Sequence, residues 1–157
     1  MITTILSDFS RVILNPKDRN YKGTLNGLFK ELKEKNTPFH FFDYFQFNDE
    51  VLGLYTQLKP KYSLNIFTSG SIQNTIEVRK KLNGIFENIF SAEEFGLDKK
   101  NPEAYQFIAT KLEKLPNEIL FIDDQQENIN AATITGMKTL LYYDFSSLRQ
   151  KFPSYLK

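Results

Sequence analysis

Three short apolar runs, each stopping at a small polar or acidic residue, constrain the fold of this chain more than any other feature. They are "ILSD" (residues 5–8), "NIFTS" (65–69) and "EILFIDD" (118–124). Runs of this length without alternation read as strands buried on both faces, the condition of a parallel sheet covered by helices. Strands are expected over 3–7, 63–67, 118–123 and 138–143, with a further short apolar stretch at 88–92. The intervening segments have helical spacing. Leu25, Leu28, Phe29 and Leu32 mark a helix over 24–36. Asn48 as N-cap, with Asp49 and Glu50 in the first turn, opens another over 49–59. Further helices are expected over 71–82, from Asn101-Pro102-Glu103 onward, and from 126 to a stop at Gly136. The aromatic run "PFHFFDYFQF" (38–47) fits neither period and is left unassigned. This alternation predicts an α/β fold, a three-layer, Rossmann-like parallel sheet with helices on both faces.

A chain of 157 residues suits a single domain, 1–157, with a substantial core. A formal net charge of +1 gives no electrostatic argument for nucleic acid or a membrane surface, and the densest basic cluster, Arg79-Lys80-Lys81, reads as a solvated helix face. There is no cysteine, which excludes disulfides, thiolate catalysis and cysteine-bound zinc. The one histidine, His40, reads as a partly buried ring within the aromatic run. The first residues lack the pattern of a signal peptide, and no run approaches about 18 apolar residues, the length of a membrane span. A cytoplasmic protein is expected.

In parallel sheets with helices on both faces, ligands bind off the carboxyl ends of the strands, where the strand order reverses. That rule selects Asp8, then Thr68 and Ser69, then Asp123 and Asp124. Two aspartates can hold a hard cation such as Mg²⁺, which prefers a few carboxylate oxygens. Such an ion offsets the repulsion between an aspartate nucleophile and a phosphate dianion, and a carboxylate is a competent covalent nucleophile. The Thr68-Ser69-Gly70-Ser71 turn supplies hydroxyls and N–H groups to an anion, and Lys99 or Lys100 completes the charge balance.

"ILSDFS", "NIFTSGS", "GLDKKNPEAY" and "ILFIDDQQENINAATITGM" resemble the four motifs of the haloacid dehalogenase-like superfamily, a group of mostly Mg²⁺-dependent phosphatases. The likeness spans nearly the whole chain and is weakest over 15–60. It implies that Asp8 is the nucleophile that becomes an aspartyl phosphate, and that Thr68, with Ser69 beside it, binds a phosphate oxygen. Lys99 matches the family's lysine, while Lys100 replaces a usual proline. The resemblance further implies a Mg²⁺ site made of Asp8, the backbone carbonyl of Ser10 and Asp124, with Asp123 beside Asp124 as support.

Two positions depart from the family pattern. Ser10 stands where the phosphatases carry a general acid–base aspartate, and a serine hydroxyl is far too weak an acid for that role. General acid–base catalysis contributes about 10²- to 10⁴-fold, so hydrolysis is expected to be slow. Arg11 replaces a usual glycine, and either clamps an anionic substrate or fills the mouth of the site. Residues 15–60, which include the first core helix, are short for a cap, so the cap is expected to be reduced. Such an open site suits a bulky phosphorylated substrate, small or macromolecular, or one closed by a second subunit of a homo-oligomer. Beside slow phosphoester hydrolysis stand a catalytically inactive binding or regulatory protein and a dehalogenase-type hydrolase, which uses the aspartate without the second acid or a metal.

Overall fold

The computed structural model describes residues 1–156. In chain order the strands are β1 (Thr4–Ser7), β2 (Leu14–Pro16), β3 (Phe45–Phe47), β4 (Ser63–Thr68), β5 (Asn88–Ser91), β6 (Ile119–Asp123) and β7 (Lys138–Leu141). The helices are α1 (Leu25–Glu34), α2 (Phe41–Tyr44), α3 (Asp49–Leu58), α4 (Ile76–Leu82), α5 (Ala92–Phe95), α6 (Pro102–Lys111), α7 (Gln126–Ile134) and α8 (Phe145–Tyr155). Five strands form one sheet in the order β5-β4-β1-β6-β7, and every neighbouring pair is parallel. β2 and β3 form a separate antiparallel pair.

The apolar runs bury both faces of this sheet. Along β6, Leu120 and Ile122 join one core with Ile5 of β1 and Leu64 and Ile66 of β4, under α1, α3, α4 and α8. Ile119 and Phe121 join a second core with Leu6 and Phe67, under α6 and α7. The result is the expected three-layer arrangement, with β1 central and its neighbours β4 and β6 reached in opposite directions. The strand-order reversal therefore falls at the end of β1, between the ends of β4 and β6, and Asp8 is the first residue beyond that strand.

Most elements lie where periodicity put them, and the differences have local causes. The 71–82 segment begins with a 3₁₀ turn, Ile72–Asn74, and becomes α-helical only at Ile76. The aromatic run divides into α2 and β3. Phe41 and Phe45 stack at 4.8 Å, and Phe29 of α1 meets Phe39 and Phe45 edge-on, whereas Phe42 and Tyr44 are exposed. His40 is exposed, not partly buried, and its side chain caps nothing. Two elements carried no usable sequence signal. β2 is three residues long and ends in Pro16, and α8 contains Pro153. No helix among the described residues is long and apolar enough to cross a membrane.

Candidate active site

The parallel ladder fixes the position of Asp8. Its amide donates to the Ile122 carbonyl at 2.7 Å, carrying the β1–β6 pairing one residue past the strand. Behind it, the Tyr55 hydroxyl on α3 donates to Ser7 Oγ at 2.8 Å, and Ser7 Oγ donates to the Asp8 carbonyl at 2.8 Å. Burial pushes the Tyr55 phenol well above its usual range, so it remains a donor throughout the neutral range.

Lys99 closes the site from the loop before α6. Its Nζ donates to Asp8 Oδ1 at 2.7 Å and to Asp123 Oδ2 at 2.8 Å. The ammonium also lies 5.4 Å and 5.6 Å from the ring centroids of Phe67 and Phe121, within cation–π range. The Tyr105 hydroxyl, on α6, donates to the Lys99 carbonyl at 2.8 Å and so fixes the backbone that presents the lysine. Lys100 has no part in this arrangement: it is exposed and pairs with Glu127 at 2.6 Å.

Asp123 is fully buried and has both oxygens occupied. Oδ1 accepts from the Gln125 amide at 2.8 Å, and Oδ2 accepts from Lys99 and from Asn128 Nδ2 at 3.0 Å. Asp124 is half-buried and uses one oxygen to accept from Gln125 Nε2 at 2.9 Å. One ligand oxygen from each of Asp8, Asp123 and Asp124 lies within 4.8 Å of the others.

Three carboxylates thus stand around one buried ammonium, and burial, ahead of their mutual repulsion, sets how Asp8 and Asp124 titrate. Burial pushes Asp8 up to about 7, against the pull of Lys99 and with a further push from Asp123. Asp124 is raised for the same reasons, burial first and Asp123 second. Burial alone would lower Lys99, but Asp8 and Asp123 outweigh it, so the ammonium titrates above its usual range.

The donor set fits a hard divalent cation. Asp8 Oδ2 and Asp124 Oδ1 are left uncommitted, and the bridge between Ser10 and Leu14 runs through the Phe9 and Leu14 carbonyls, not that of Ser10. Two carboxylate oxygens and a carbonyl are the ligand chemistry of Mg²⁺.

In front of Asp8 is a cavity of about 280 Å³ whose walls include Ser10, Arg11, Ser69, Lys99 and Asp124. Thr68 is buried at the end of β4, and Ser69, not Thr68, lines this space. The carbonyls of the following turn are occupied. Ser69 O accepts from the Glu93 amide at 3.1 Å, and Gly70 O accepts from Ser91 Oγ at 2.8 Å and Gln73 Nε2 at 2.7 Å. The Asn26 side chain of α1 lies against Gly70 so closely that a Cβ there would stand 2.5 Å from Asn26 Cγ. Arg11 has a left-handed backbone (φ 63°) and donates through Nη2 to the carbonyls of Tyr21, at 3.1 Å, and Gly23, at 2.7 Å. It therefore anchors the loop that leads into α1 at the mouth of the cavity.

Sequence reasoning missed the supporting groups: Asn128, Gln125, Tyr105 and the Tyr55–Ser7 pair. Asn128 had a weak signal, an amide within the first turn of a helix that follows an acidic strand end. Tyr55 had none, because its partner lies 48 residues away in sequence.

Residues 6–133 match the family model of the haloacid dehalogenase-like hydrolases. The enolase-phosphatase E1 of Synechococcus sp. (strain CC9605) is 37% identical over 94 residues, which are 58% of this chain and 36% of that protein. The bifunctional epoxide hydrolase 2 of Rattus norvegicus is 34% identical over 62 residues, 40% of this chain and 11% of that protein. The chain therefore spans about a third or less of the length of these curated relatives. A haloacid dehalogenase family enzyme from Bacteroides thetaiotaomicron, solved as a magnesium complex, superposes with a TM-score of 0.69 at 19% identity, covering 96% of this chain and 99% of that one. The same enzyme with magnesium and inorganic phosphate gives 0.63 at 19% identity, over 94% and 99%. At such identity the superpositions establish the fold. The matched sequence spans the three strand ends and the Lys99 loop from which the site is built, and the chain belongs to the haloacid dehalogenase-like hydrolases.

Proposed function

We propose that this chain hydrolyses phosphate esters or anhydrides with Asp8 as nucleophile and a Mg²⁺ ion held by Asp8, Asp124 and the Ser10 carbonyl. The observation that carries this reading is the buried Lys99 ammonium, bonded at once to Asp8 and Asp123. It fixes the Asp8 carboxylate facing the cavity, positioned for attack on a phosphorus atom placed there. The bound cation would neutralise charge on the phosphoryl oxygens. Lys99 offsets part of the same charge, while Asp123, fixed by Gln125 and Asn128, holds Lys99 in place. The Ser69 hydroxyl, with Thr68 beneath it in the chain order, receives a phosphoryl oxygen. Residues 15–60 include α1 and α3, which belong to the helical layer on the sheet, so only the remainder of that segment serves as a reduced cap, with the Arg11-anchored loop at the mouth.

The related enolase-phosphatases and the neighbour with magnesium and phosphate support this assignment of reaction type. The surplus of carboxylate charge favours a cation-dependent reaction over the dehalogenase type, which needs no metal. Hydrolysis of an aryl phosphate tests it. Mg²⁺-dependent release that falls to background in Asp8→Asn is the expected result. No release from either protein, while phosphate analogues still bind, would instead establish a binding protein built on the same fold.

A further inference from the structure

The cavity before Asp8 offers a phosphoryl group charge and hydrogen bonds, but no side chain suited to proton transfer. Among the described residues its lining holds no imidazole and no thiol. Its carboxylates are Asp8, the nucleophile, and Asp124, assigned to the cation. Ser10, Ser69, Asn26 and Gln125 are hydroxyls and amides, which neither give nor take a proton near neutrality. The Arg11 guanidinium stays charged, and Lys99 is committed to two aspartates by hydrogen bonds. The only histidine, His40, is exposed and lines none of this space. Tyr21, on the loop that Arg11 anchors, donates its hydroxyl to the Thr24 carbonyl at 3.2 Å.

Each half of the reaction meets this lack differently. In the first, Asp8 Oδ forms a bond to phosphorus, the bond to the leaving oxygen breaks, and the electron pair departs with that oxygen. An alkoxide formed this way needs a proton, whereas a carboxylate does not. In the second, a water oxygen bonds to phosphorus, the Asp8–phosphorus bond breaks, and the electron pair returns to Asp8. No further base in the lining draws the proton from that water as it attacks; the proton goes to solvent, to a phosphate oxygen, or to the Asp8 carboxylate once that is released.

Resting on the reading of the site given above, we infer that the substrates are phosphate compounds whose leaving group is a stable anion at neutral pH, acyl phosphates foremost. The phosphoryl group then reaches Asp8 faster than it leaves, so the aspartyl phosphate is the species that accumulates during turnover.

Rapid-quench kinetics on the full chain with Mg²⁺ tests this, using acetyl phosphate, para-nitrophenyl phosphate as an acidic aryl ester, and glycerol phosphate as an alkyl ester. A burst of nitrophenolate approaching one per chain is expected, followed by a steady rate at least tenfold slower. Acetyl and para-nitrophenyl phosphate should share one kcat, because both wait on the same second step, and kcat/KM for glycerol phosphate should be lower by about 10²-fold or more. Ser10→Asp should remove the burst, raise steady turnover at least tenfold, and admit glycerol phosphate. Linear release with no burst, or glycerol phosphate hydrolysed within tenfold of the aryl ester, would overturn the inference while leaving Asp8 as nucleophile. Asp8-independent release, or none from any of the three, would remove the catalytic reading and this inference with it.

Discussion

Lysine is among the residues least often buried without a partner, and Lys99, 4% exposed, is closed off between two aspartates and two aromatic rings. Its removal would leave two buried carboxylates uncompensated. Breaking a buried ion pair from one side costs about 3–5 kcal/mol. With metal chelated, Lys99→Met should therefore lose about that much stability at pH 8, and less at pH 5, where Asp8 takes up a proton. Urea unfolding at the two pH values measures it, and an equal loss at both would show that the ion pair is not the cause. Arg11 is a second residue under constraint. A left-handed backbone costs a branched-at-Cβ or long side chain about 1–2 kcal/mol relative to glycine, and two hydrogen bonds to the carbonyls of Tyr21 and Gly23 offset that cost.

At the scale of elements, the site depends on how α1 meets the turn after β4. Gly70 is there because the Asn26 side chain occupies the place a Cβ would need. Gly70→Ala meets the end of the Asn26 side chain, which must turn aside, so the cost should lie at the low end of about 1–3 kcal/mol, with a fall in kcat/KM for aryl phosphate if the proposed activity holds. Asn26→Ala in the same chain should restore most of the lost stability, and a thermal melt of the double variant that shows no recovery would place the clash elsewhere. Elements of this kind differ in how legible they are. Strands β1, β4 and β6 are readable because burial on both faces leaves an uninterrupted apolar run, and their polar ends point to Asp8, Ser69, Asp123 and Asp124. β2, α2 and β3 are not, because in so short a stretch stacking among Phe29, Phe41 and Phe45 decides the structure, not periodicity. The hydrogen bonds that orient the site were hidden for a similar reason. Tyr55 to Ser7 and Asn128 to Asp123 are meetings between side chains on different elements, and no local pattern records them.

For the whole molecule, the clustered carboxylates make stability a function of pH and cation together. Asp8 is raised from its ordinary value of 3.8 to about 7, and Asp124 is raised as well. The folded chain therefore holds more protons than the unfolded one between about pH 4 and 7. The stability these groups confer is complete at the acid end and is lost as pH rises through 7. A divalent cation held by Asp8 and Asp124, as proposed, would replace those protons, so Mg²⁺ should raise Tm more at pH 8 than at pH 5. Melts with and without Mg²⁺ at both values check this, and an equal shift would mean the cation binds elsewhere. The amide of Asp8 that bonds to Ile122 has a further consequence, one that concerns folding rate. The two ends of this bond are separated by most of the chain, and the other sheet neighbour of β1, β4, begins only at Ser63, whereas β6 also pairs with β7, the next strand in the chain. Loop-closure entropy must be met before such a contact returns any free energy, which slows folding in topologies dominated by distant pairings. The central strand is synthesised more than a hundred residues before β6, its second neighbour, exists, so Asp8 is among the last parts of this sheet to reach its place.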